Sequence, residues 1–248
     1  MKILKNIKRI IPIILLFTIA ASAQVLPSLS LSVGDAQSPQ DVATALQVVF
    51  LVSILALAPS ILIMMTSFVR IIIVFSFIRR AIGLQTTPPD QVLVGLALFL
   101  TFYIMSPTLT EMNDNALQPY LSEQISWQEG LDRAGEPMKR FMLKQVYEND
   151  VALFLRIAGR PAPQTAMDIG FDVLIPAFMI SELKTAFIFG FIIYLPFLVV
   201  DMVVASVLLS MGMMMLPPTV ISLPFKVILF VLIDGWNLIV RQLVGSFL

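Results

Sequence analysis

The chain has 248 residues, 58% of them hydrophobic and 13% charged, with a mean hydropathy of +0.92, against roughly 45–50% apolar residues in soluble domains. Lysine plus arginine and aspartate plus glutamate both total 16, so no basic excess points to nucleic acid as a partner. Cysteine and histidine are absent, which excludes disulfides, thiolate nucleophiles, imidazole bases and the commonest zinc ligands together and leaves an integral membrane protein with no expected cofactor or metal.

The N-terminus reads as a secretory signal. Lys2, Lys5, Lys8 and Arg9 form a basic region, residues 10–20 an apolar one, and Ala21-Ser22-Ala23 an A-x-A site, so cleavage is expected after Ala23. An uncleaved first span needs about 20 apolar residues, and Ser22 and Gln24 cut this run short. Residues 24–41, rich in serine, proline and small polar side chains, are expected to form a flexible leader outside the cytoplasm. The main domain is then 42–248.

Four apolar segments follow, at about 42–65, 91–105, 186–211 and 220–240, each close to the length of a membrane helix. The first stays apolar and helix-compatible to Gly83, with Arg70, Arg79 and Arg80 as its charges, and the Thr86-Thr87-Pro88-Pro89-Asp90 turn ends it. The third would be about 39 Å long against a hydrocarbon core of about 30 Å, so it must tilt, kink at Pro196 or extend beyond the bilayer. An outside N-terminus puts the arginine loop inside, 111–185 outside and the turn after 211 inside, as the positive-inside rule requires.

Region 111–185 alone has the composition of a soluble protein. Ser126-Trp127-Gln128-Glu129 resembles a capping box, and a second helix is expected from Pro137 at its first turn to Ile157, capped by Gly159. Glu136 and Arg140 offer an i,i+4 pair. That second helix carries Met138, Phe141, Met142, Val146, Leu153, Phe154 and Ile157, an apolar set that needs a covering surface. With no β-alternation beyond a few residues, the fold class is all-α.

Candidate chemistry is sparse. Gly130 to Gly135 has the spacing of a phosphate loop, but Glu136 and Pro137 stand where lysine and serine or threonine are required. Asp201 and Asp234 lack the G-x-G-D motif of intramembrane aspartyl proteases. A charge at the centre of a membrane helix costs about 2.5–3.5 kcal/mol on insertion scales, so Asp201, Lys226 and Asp234 should face protein or water. On a helix from Val220 onward, Lys226, Asp234 and Arg241 fall on one stripe of alternating charge, suited to structural ion pairs or to a conduction path in a small-solute or ion transporter.

The stretch "MGMMMLPPT" puts Met211, Met213, Met214 and Met215 before Pro217 and Pro218. Copper(I) sites normally add histidine or cysteine to methionine, and filler explains scattered methionines better than a block at a turn. Unbranched, polarizable side chains that re-pack suit a surface that closes against different partners.

"PAFMISELKTAF", with Glu182 and Lys184, and "PFLVVDMVV", with Asp201, closely resemble the signature blocks of the FliP family of flagellar export-gate proteins. "TSFVRIIIVFSFIRRAIGLQTTPPDQVLVGLALFLTFYIMSP" and "MGMMMLPPTVISLPFKVILFVLIDGW" look like the same family. The resemblance covers about 42–248. Type III injectisomes have a homologous gate subunit, and the signal and long leader resemble the flagellar branch. The resemblance implies a non-enzymatic homo-oligomer in the bacterial inner membrane and flagellar basal body, assembled with FliQ and FliR, engaged by FlhB and FlhA, and passing unfolded flagellar proteins. It further implies that Met211, Met213, Met214, Met215, Pro217 and Pro218 form a pore gasket. Arg70, Glu182, Lys184, Asp201, Lys226, Asp234 and Arg241 become candidates for intersubunit or intramembrane pairing.

Overall fold

A computed structural model of the chain describes residues 39–213 and 215–247. Ala21, Ala23 and most of the leader lie outside the described residues, as does Met214. The described residues are helical with no strand, as the all-α expectation requires. Two compact units divide between Ser53 and Ile54; the described part of the first, 39–53, is helical throughout.

In chain order the helices are α1 (Pro39–Met64), α2 (Phe68–Ile82), α3 (Asp90–Met112), α4 (Gln118–Leu121), α5 (Trp127–Gln145), α6 (Glu148–Ile157), α7 (Phe171–Ser210), α8 (Pro218–Leu232) and α9 (Gly235–Gly245). A π turn, Asn113–Leu117, joins α3 to α4, so the helical path runs over 32 residues from Asp90 to Leu121. The expected helix to Gly83 is instead broken at Met65–Ser67, where Thr66 turns its hydroxyl onto the Ile63 carbonyl at 2.8 Å. Such side-chain bonds compete with the helical ladder.

Helix α2 buries Arg70, Ile71, Val74, Phe75, Ile78, Ala81 and Ile82, the i, i+3, i+4, i+7 spacing of one helix face. That face packs most extensively on α7, whose N-terminal part buries Val173, Leu174, Ala177, Phe178, Ser181, Glu182 and Ala186. Helix α5 adds Met138, Phe141 and Met142 to this core.

Two expectations for 111–185 are overturned. The helix expected from Pro137 to Ile157 is two helices, because Val146 is extended (φ −79°, ψ 140°), and Pro137 lies inside α5 rather than at a first turn. The break resets the register, so Met138, Phe141 and Met142 face the core while Leu153 and Ile157 are exposed. Arg140 pairs with Glu111 across to α3 rather than with Glu136, and Glu129 pairs with Arg133. The Ser126 cap holds: its hydroxyl accepts the Glu129 amide at 3.3 Å. Gly159 also follows α6 at φ 63° as expected, and Gly130 and Gly135 of the false phosphate loop are interior to α5.

Among the described residues, two helical stretches, Asp90–Leu121 and Phe171–Ser210, are long and apolar enough to cross a membrane; α8 and α9, bent by 62° at their junction, make a third if counted as one span. The third apolar segment is thus longer than its hydropathy shows. Helix α7 has 40 residues, about 60 Å at 1.5 Å per residue, and continues through Pro196. Its N-terminal half carries Asp172, Glu182 and Lys184, so a hydropathy window registers only the apolar half.

Candidate functional site

Two features converge on α7: a buried arginine node near its start and a hairpin with α8 at its end. Helix α7 stops at Gly212, whose φ of 76° suits only a residue free of a Cβ penalty. The Gly212 amide donates to the Leu209 carbonyl at 3.0 Å and the Met213 amide to Leu208 at 2.9 Å, the paired bonds that close a helix C-terminus at a left-handed glycine. Pro218 then opens α8 at its first position, where a missing N–H costs nothing. The tip between these signals leaves Met211 65%, Met213 43% and Met215 97% exposed, and Pro217 exposed as well.

Below the tip the two arms are joined by charge. Lys226 on α8 donates to Asp201 on α7 at 2.5 Å, and Ser222 donates to the other oxygen of the same carboxylate at 2.5 Å. Lys226 and Ser222 are buried. A carboxylate taking one charged and one neutral donor between apolar helices satisfies the requirement that intramembrane charges be paired.

Arg70 is the second centre. Its Nε donates to Glu182 at 2.8 Å and one terminal nitrogen donates to the other Glu182 oxygen and, at 3.1 Å, to Gln145. The remaining nitrogen donates to the Ser246 hydroxyl at 2.9 Å and to the Ser246 carbonyl at 3.4 Å. All five guanidinium donors are therefore used. The Phe247 ring lies 3.8 Å from the guanidinium carbon and stacks on Phe141 at 6.1 Å. One side chain of α2 so ties together α5, α7 and the segment after α9.

The other expected charges are not brought into pairs. Lys184 lies 4.8 Å from the Tyr147 ring centroid. Asp234 and Arg241 are exposed and, among the described residues, form no salt bridge. The single stripe of Lys226, Asp234 and Arg241 is overturned, because Asp234 adopts φ 49° and the chain bends there. Gly235 at the elbow is buried beneath Phe230, whose ring meets Trp236 edge-on at 5.5 Å. For Arg70, Glu182, Asp201 and Lys226 the partner lies within the same chain, so none of the four needs a neighbouring copy to be satisfied. Gln145, Ser246, Phe247 and Ser222 were not foreseen; their partners stand 75, 176, 177 and 21 residues away, beyond any local spacing rule.

A model of the FliP family matches residues 51–243. The chain belongs to the FliP family. It is 52% identical to the flagellar biosynthetic protein FliP of Bacillus subtilis, over 88% of this chain and 98% of that one. Identity to the protein of the same name is 51% in Caulobacter vibrioides, over 92% and 84%, and 48% in Aquifex aeolicus, over 90% and 92%. FliP-family membership makes the chain a membrane component of flagellar biosynthesis and export, and not an enzyme. The matched FliP span takes in the methionine tip, both ion pairs and the elbow, while Ser246 and Phe247 lie just past it.

Proposed function

We propose that this chain is a pore-forming subunit of the flagellar type III protein export gate in the bacterial inner membrane. On this reading several copies assemble with FliQ and FliR at the flagellar basal body, FlhB and FlhA engage the assembly, and unfolded flagellar proteins pass through it. The observation that carries the reading is the α7–α8 hairpin, a charge-pinned pair of apolar helices whose tip presents uncovered methionines. Repeated around an axis, Met211, Met213, Met214 and Met215, with Pro217 and Pro218 closing each turn, form a ring of uncharged side chains that re-pack against one another or around a polypeptide. Lys184, Asp234 and Arg241 are the charges then left for contacts between subunits.

Site-specific crosslinking of a stalled export substrate tests this. Crosslinks are expected at 211–219, and their absence, with crosslinks elsewhere on the assembly, would assign the chain a scaffolding role. Replacing 213–215 by alanine should raise the leak of small ions through the closed assembly, and unchanged permeability would refute the gasket.

A further inference from the structure

Methionines in the core and at the hairpin tip occupy opposed environments. Met105 and Met142 are sealed in the core at 2% and 0% exposure, whereas Met211, Met213 and Met215 cluster on an uncovered tip. Space around Gly212 between them is open, with nothing within 4 Å of where a Cβ would stand. Thioether oxidation follows access and turns an apolar side chain into a polar one.

We propose that the hairpin tip is a reversible oxidation site whose sulfoxides break the seal. The site of modification rests on the exposure of the tip in the single chain, and its consequence rests on the gasket reading. A lone pair of Sδ attacks one oxygen of hydrogen peroxide, the S–O bond forms as the O–O bond breaks, and the departing hydroxide takes up the remaining proton as water. Sulfur gives up two electrons and peroxide gains them. A methionine sulfoxide reductase reverses the change, with a dithiol going to a disulfide and the oxygen leaving as water. Each sulfoxide brings a strong hydrogen-bond acceptor into a stretch, 211–218, whose side chains otherwise offer only weak thioether acceptors, so water follows it into the ring. Elsewhere on α7, Met202 is also exposed, beside Val199 and Val203, on an aliphatic surface outside the tip.

Peroxide treatment of the detergent-extracted assembly, followed by peptide mass spectrometry, tests the site. Oxidation within 211–215 should outpace that at Met105 and Met142 on the order of tenfold; equal rates would overturn the proposal. With the assembly in ion-loaded vesicles, peroxide should raise leak several-fold, and sulfoxide reductase with dithiothreitol should reverse it. A variant with leucine at 211, 213, 214 and 215 should lose the response to peroxide. Tip oxidation without leak, alongside leak from the alanine variant, would overturn the switch and leave the gasket standing. Absence of leak in both would overturn both.

Discussion

Replacing Arg70 by methionine keeps most of the volume of the side chain and removes all five donors. Glu182, fully buried, then has no counter-charge, because both of its bonds in the structure come from Arg70. Breaking a buried pair from one side costs about 3–5 kcal/mol, since the surviving charge stays desolvated. In a chain of this length 1 kcal/mol shifts the thermal midpoint by about 2–4 °C, so a fall of about 6–20 °C is expected. Arg70→Lys keeps the charge but loses the flat stack on Phe247 and the two-pronged grip on Glu182, a cost of about 1–2 kcal/mol. Removing both charges, as Arg70→Met with Glu182→Met, should recover about half of the loss, leaving Gln145 and Ser246 short of a donor at about 1 kcal/mol each. The assay is thermal unfolding in detergent, read from the fluorescence of Trp236 beside Phe75 and Phe230. An Arg70→Met variant as stable as Arg70→Lys, or a double variant worse than Arg70→Met alone, would refute the assignment of the cost to an orphaned Glu182.

Lys226→Met should cost about 1–3 kcal/mol by leaving Asp201 with only the Ser222 hydroxyl; adding Asp201→Asn should restore part of it in the same unfolding assay. Gly235→Ala sets a Cβ 2.2 Å from the Phe230 ring, and relieving the clash by moving that ring off Trp236 should cost about 1–3 kcal/mol, seen as a lowered midpoint with altered Trp236 emission. Gly190→Ala, whose Cβ would stand 2.5 Å from Phe77, should loosen the α2–α7 contact by a similar amount, measured as faster amide exchange in α2. Asp168 accepts from the Thr165 hydroxyl and amide, and chiefly the hydroxyl bond holds its carboxyl below the usual aspartate range. A depressed folded value means the stabilisation is full above the unfolded value and is lost as pH falls through the folded one. Exchange in 165–168 should therefore rise only as pH drops below about 4, and Thr165→Ala should shift that rise to higher pH.

Local chemistry was legible wherever a single short signal decides the backbone. Ser126 before an acidic first turn, Gly159 after an apolar helix, and Pro217 with Pro218 each specify a start or stop that neighbouring residues do not contest. The α1–α2 break was hidden because Thr66 and Ser67 are weak punctuation beside the apolar run around them. The elbow was hidden for a different reason: the residue with positive φ is Asp234, which tolerates that region better than most but is also common elsewhere. Arg70 and Glu182 stood among the candidate charges, but their pairing with each other could not be read. The groups of the arginine node come from α2, α5, α7 and the segment after α9, and only tertiary packing sets their proximity.

The pairing of Arg70 with Glu182 and of Lys226 with Asp201 constrains what assembly can use. A charge already satisfied within the chain gains little from a second partner and would have to leave its first one to reach it. The surface left for neighbours is apolar: Phe187, Phe191, Ile192, Val199, Val203 and Val207 stand exposed along α7, beside an apolar cavity of about 480 Å³ between α7 and the α8–α9 elbow. Within a bilayer such a surface carries no hydrophobic drive, because lipid tails are as apolar as the helix, so association there depends on close packing and on the few polar groups available. If copies assemble as proposed, stability of the subunit and recognition between subunits fall to different residues. The node and the hairpin pin hold the fold, whereas in the proposed assembly the contacts between copies are left to the apolar surface of α7 and the elbow, with Asp234 and Arg241 exposed beside it.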